Sequence, residues 1–116
     1  MSSIQRFDSN SRLSRVVVHQ GVAWLSGIVA ADCSQDTRSQ VRQVLARLDD
    51  LLASVGSDRS RLLSTQIWLK DMVADFDTVN EEWSTWCEGF PPARATCQVT
   101  FDDPDIRLEL IVTAAI

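Results

Sequence analysis

Hydrophobic and polar positions alternate with period two near both ends of the chain, and twice in between they take up the period of a helix. Val16, Val17 and Val18, then residues 22–26 beyond Gly21, are rich in β-branched and aromatic side chains and predict a hairpin turning at the glycine. Residues 4–7 predict a short edge strand ahead of it. Thr37 and Gln40 have capping-box spacing, and from there Val41, Val44, Leu45, Leu48, Leu51, Leu52 and Val55 form one helical stripe closed by Gly56. Arg42, Arg47, Asp49 and Asp50 occupy the opposite face, where solvated charge is expected. Residues 61–69 predict a strand with Leu63, Thr65, Ile67 and Leu69 on one side and Ser64, Gln66 and Trp68 on the other, ended by Lys70-Asp71. A second helix is expected from near Asp75, with Phe76, Val79, Trp83 and Trp86 as its apolar stripe and Gly89 and Pro91-Pro92 as its stop.

Residues 91–110 and the few that follow predict a second hairpin. Ala95, Cys97, Val99 and Phe101 alternate with Arg94, Thr96, Gln98 and Thr100; Ile106, Leu108, Leu110 and Val112 alternate with Arg107, Glu109, Ile111 and Thr113. Asp102-Asp103-Pro104-Asp105 would be the turn, pairing Phe101 with Ile106, Cys97 with Leu110 and Gln98 with Glu109. In that register the apolar sets face a core, while Arg94 and Glu109 share the other side with Arg94 opposite Thr113.

The order is β-β-β-α-β-α-β-β, an α+β class with a single mixed sheet of about six strands and two helices on one face. Repeats and divided composition are absent, which predicts one domain over residues 1–116. Two helices cover only one side of so wide a sheet. The other would carry Trp24 or Leu25, Trp68 and the polar set of the last hairpin, a mixture that suits a wet subunit interface.

Composition narrows the function. The net charge is −5, with one lysine and ten scattered arginines, a poor endowment for nucleic acid. Cys33, Cys87 and Cys97 are odd in number and lack CxxC spacing, which argues against a disulfide framework or a zinc site; small core fillers are expected. The N-terminal segment has no apolar run of the signal-peptide kind and no stretch would span a bilayer, so the expected address is the cytoplasm. A single histidine, His19, leaves neither a Ser-His-Asp arrangement nor a histidine metal site to assemble.

Two residues carry the chemistry. Arg94 follows a proline pair and is either a surface arginine or a planar clamp for a carboxylate. Glu109 sits between Leu108 and Leu110, an unfavourable place for a carboxylate that is neither paired nor used. The run Pro92-Ala93-Arg94, a strand's length, then Leu108-Glu109-Leu110 resembles the signature of the RidA (YjgF-like) family of enamine/imine deaminases. Ser26-Gly27 and the segment Asp75-Phe76-Asp77-Thr78-Val79-Asn80 are similar to two further family motifs in the right order. The resemblance implies a chorismate-mutase-like fold and a homotrimer with clefts between subunits. It also implies a cofactor- and metal-free hydrolysis of 2-imino acids, with Arg94 and Glu109 as catalytic residues and Ser26, Gly27, Asn80 and Thr96 beside Arg94 in substrate binding. A carboxylate-binding module without turnover and, more weakly, an endoribonuclease are the alternatives. Two departures stand out: the chain has no tyrosine, which the family's well-studied deaminases carry before the Ser-Gly strand, and Thr96 replaces a cysteine frequent two residues past the arginine.

Overall fold

The computed structural model describes residues 3–116, and among these six strands form one mixed sheet with two α-helices on one side. The strands are β1 (Gln5–Ser9), β2 (Ser14–His19), β3 (Val22–Leu25), β4 (Leu62–Leu69), β5 (Ala93–Gln98) and β6 (Leu108–Ala115); the helices are α1 (Thr37–Ser54) and α2 (Met72–Trp86). Across the sheet the order is β1-β2-β3-β6-β4-β5. Principal extents of 48 × 36 × 20 Å leave room for one helical layer, so one sheet face has no cover from the described residues.

The predicted element order and the α1 stripe hold. Val41, Val44, Leu45, Leu48 and Leu52 are buried against Val16, Val18, Ile67, Leu108, Leu110 and Val112. Gly56 follows the helix at φ +77°, a left-handed conformation that closes α1 at little cost only for glycine. Trp83 and Trp86 of α2 stack with centroids 5.4 Å apart at the core's edge.

The final hairpin does not form. β5 pairs parallel with β4 (Thr65 with Arg94, Ile67 with Thr96, Trp68 with Cys97), while β6 lies antiparallel between β3 and β4. Residues 102–105 therefore lie within a connection, residues 99–107, that passes β4 instead of turning back beside it. The physical reason is burial. β6 places Leu108, Leu110, Val112 and Ala114 in the core and suits the sheet's interior, whereas β5, mostly exposed, suits an edge. Parallel neighbours need a crossover, and α2 supplies it in a β4-α2-β5 unit.

This topology inverts the faces expected for β5. Arg94, Thr96 and Gln98 share the helical side with Thr65, Ile67 and Leu69; Ala95 and Cys97 share the open side with Gln66 and Trp68. Cys97 is exposed and fills no core, whereas Cys87 is buried and Cys33 half-buried. A register shift between Leu62 and Ser64 likewise turns Leu63 outward, leaving it 48% exposed and Leu62 buried in its place.

Other local expectations change with the tertiary partners. Asp36, not Thr37, caps α1 by accepting from the Ser39 N–H at 2.9 Å. Gln40 is fully buried instead of capping: its Nε2 donates to the Asp105 carbonyl at 2.9 Å and its Oε1 accepts from the Arg107 N–H at 3.0 Å. It pins the entry of β6 to α1. α2 starts at Met72, a turn before Asp75, with Asp71 as its cap. Three residues expected on α1's solvated face have partners: Arg42 pairs with Glu82, Asp49 with Arg59, and Arg47 donates to the Val29 carbonyl.

Candidate functional site

The uncovered face holds the first cluster. Glu109 projects there from β6 because Leu108 and Leu110 take the core side, and its direct cross-strand neighbour is Trp68 of β4. Strand β3 ends at Leu25, and the chain runs beside β6 through a bridge between Ile28 and Leu110. That path lays Gly27 on the Glu109 side chain: a Cβ at 27 would meet Oε2 at 2.6 Å and the carboxyl carbon at 2.8 Å. Only a residue without a side chain admits this approach. Ser26 precedes it, half-buried, with the Arg15 guanidinium 3.5 Å from its hydroxyl. Glu109 has no ion-pair or hydrogen-bond partner among the described residues. Burial, reinforced by the charge of Asp102, raises its carboxyl above the ordinary glutamate range.

The second cluster lies on the helical side of the edge strand. The Arg94 guanidinium stands 5.9 Å from the centroid of the Phe76 ring of α2, a cation–π arrangement, and makes no ion pair among the described residues. Asn80 is half-buried one turn beyond Phe76, and Ser84 one turn further, so the three follow one helical row. Arg94, Trp83, Ser84 and Cys87 line a cleft of about 440 Å³ between the end of α2 and the start of β5. Thr96, two residues past Arg94 on the same side, has a buried hydroxyl with no hydrogen-bond partner among the described residues, as does Thr65 on the adjacent strand.

Ser26, Gly27 and Glu109 thus come together on one face, and Arg94 joins Phe76 beside Thr96 and the Asn80 row on the other. The two groups do not meet within a chain. Arg94 lies level with Thr65 and Glu109 level with Trp68, three residues along and two strands across, or roughly 14 Å between backbones with the side chains on opposite faces. Cys97, not Gln98, is level with Glu109, and Trp68 stands between them.

Two polar residues escaped the sequence reading. Asp75, expected at a helix start, is buried: its carboxylate accepts from Arg107 Nε at 3.0 Å and Nη2 at 2.5 Å, and from the Thr37 hydroxyl at 2.9 Å. Its spacing of four from Val79 was a signal that it shares the apolar stripe. With Gln40 it ties both helices to the approach of β6, and hence to Glu109. Trp68 was placed on the open face, but its pairing with Glu109 depended on knowing the strand order. No group of three His, Cys, Asp or Glu among the described residues is arranged to hold a metal ion.

Comparison with known proteins agrees with this fold. Residues 3–116 match the family model described as Endoribonuclease L-PSP. A RutC family protein of Haemophilus influenzae is 36% identical over 114 residues, covering 97% of each chain. The 2-iminobutanoate/2-iminopropanoate deaminase of Mus musculus is 32% identical over 103 residues, 84% of this chain and 76% of that one. A solved member of the YjgF protein family from Neisseria meningitidis superposes with a TM-score of 0.92 at 34% identity, covering 97% of this chain and 94% of that one.

Proposed function

The chain belongs to the RidA (YjgF-like, Endoribonuclease L-PSP) family, and on that premise we propose that it hydrolyses reactive 2-imino acids, or their enamine tautomers, to 2-oxo acids and ammonia in clefts shared between the subunits of a homotrimer. One observation carries the reading. The chain holds an arginine and a carboxylate, each without an ionic partner among the described residues, on opposite faces of one sheet. A second copy docked on the uncovered face would bring its edge-strand arginine toward the glutamate and bury Trp24, now 45% exposed, and Trp68.

In that cleft the Arg94 fork holds the substrate carboxylate by paired charge-assisted hydrogen bonds. Glu109, made more basic than an ordinary glutamate by burial, takes a proton from water as the oxygen adds to the imine carbon. Glu109 passes that proton to the imine nitrogen, giving a carbinolamine. It then takes the carbinolamine hydroxyl proton and delivers it to the amino group as the C=O bond forms and the C–N bond breaks, releasing ammonia. Ser26 and Gly27 hold the water's side of the cleft; Asn80 and Thr96 hold the substrate's. Imines hydrolyse slowly unaided, so placement and a fixed charge supply the acceleration.

The direct test couples imine generation by an amino-acid oxidase to the decay of the imine signal. Acceleration is expected, with its loss in Arg94→Ala; no acceleration for any amino acid removes the reading. The lack of tyrosine favours a second reading, a trimer that binds a carboxylic acid without turnover. Thermal shifts by 2-oxo acids without imine hydrolysis would select it. The charge of −5 weighs against ribonuclease action. The three free thiols suit a reducing cytoplasm.

A further inference from the structure

We propose that the cleft beside Arg94 receives the side chain of the substrate, and that the class it selects is 2-imino acids with long uncharged apolar side chains. The inference rests on the imine-hydrolase reading and adds the substrate class to it. Once Arg94 has taken the carboxylate, what remains of the cleft is chiefly apolar. Trp83 and Cys87 line it, 5% and 4% exposed, and Pro92 joins them where the chain turns into β5. Burial pushes the Cys87 thiol up, so it presents a neutral, weakly polar surface.

Size makes the same choice. The volume of about 440 Å³ equals the share of roughly fifteen liquid waters, and a methyl or ethyl side chain would leave most of it hydrated. A leucine, methionine or phenylalanine side chain would displace more of that water from the apolar walls, gaining up to roughly fourfold in affinity per buried methylene. Charge sets the remaining limit. Glu88 lines the cleft and is exposed, so it repels an anionic tail, and its hydration leaves little reward for a cationic one.

The test is a panel of imines made from alanine, leucine, methionine, phenylalanine, glutamate and arginine, given to the wild type and to Ser84→Trp. Ser84 is exposed on α2 and lines the cleft, so the indole occupies part of it without entering the core. The expected result is a kcat/KM at least about tenfold higher for the three long apolar imines than for the alanine-derived one, and a ratio at least about fivefold lower in the variant. A best rate with the alanine, glutamate or arginine imine overturns the inference while leaving imine hydrolysis intact, as does a ratio unmoved by Ser84→Trp. Thermal shifts by the matching 2-oxo acids separate the two claims. Shifts that grow with chain length, without hydrolysis of any imine, would keep the cleft assignment and remove the enzyme; shifts independent of chain length, again without hydrolysis, would remove both.

Discussion

Gly27 lies against the carboxylate of Glu109 so closely that a methyl group at 27 would come within 2.6 Å of Oε2. The atoms it would strike are the free end of a flexible side chain, so the backbone tolerates the change and the carboxylate yields. Gly27→Ala should keep a melting temperature within a few degrees of the wild type while kcat for imine hydrolysis falls by about 10–100-fold, as expected when a catalytic group is displaced by about 1 Å. Full activity in this variant would separate Glu109 from the chemistry.

Opposite placement of Arg94 and Glu109 makes subunit sharing testable. Arg94→Ala and Glu109→Gln should each be inactive alone. Unfolded together and refolded as mixed trimers, they should regain about a quarter of wild-type activity, the random chance that one site draws an intact arginine and an intact glutamate from different chains. Sedimentation equilibrium should report three chains per particle. No recovery from a mixture that has demonstrably formed mixed trimers would place both residues of each site in one chain.

The raised affinity of Glu109 for a proton has a consequence for stability. A carboxyl whose pKa rises on folding stabilises the native state while protonated; that contribution is full below the ordinary glutamate pKa and is lost as pH climbs through the folded value. Glu109→Gln, uncharged throughout, should therefore have a higher melting temperature than the wild type at pH 7. The advantage should shrink as the pH falls toward about 4. Melting curves that differ equally at both pH values would contradict the assignment of burial as the cause.

Asp75 joins α1, α2 and the segment entering β6 through Thr37 and Arg107. Asp75→Ala leaves the Arg107 guanidinium, whose side chain is 25% exposed, without its anion. The expected loss is about 3 kcal/mol, seen as a lower urea midpoint with an unchanged slope. A loss below about 0.5 kcal/mol would mean that packing alone holds this junction.

Local periodicity by itself determined the elements, the α1 stripe and the inward-facing residues of β6, because each follows from one segment dividing its own residues between water and core. The same alternation put Glu109 on the uncovered face, and the motif residues marked Ser26, Gly27, Asn80, Arg94, Thr96 and Glu109 as candidates. Strand neighbours were beyond its reach. Whether β6 pairs with β5 or slips between β3 and β4 is a competition among strands for burial, and it is won by Leu108, Leu110 and Val112. That outcome, with the α2 crossover, turned Arg94 to the helical side beneath Phe76 and set Trp68 beside Glu109. A single bulge reversed Leu63, and partners distant in sequence drew Gln40 and Asp75 inside. A pattern along one strand records which side faces the core; which strand lies alongside, and so which side chains meet, is decided by contacts between residues far apart in the chain.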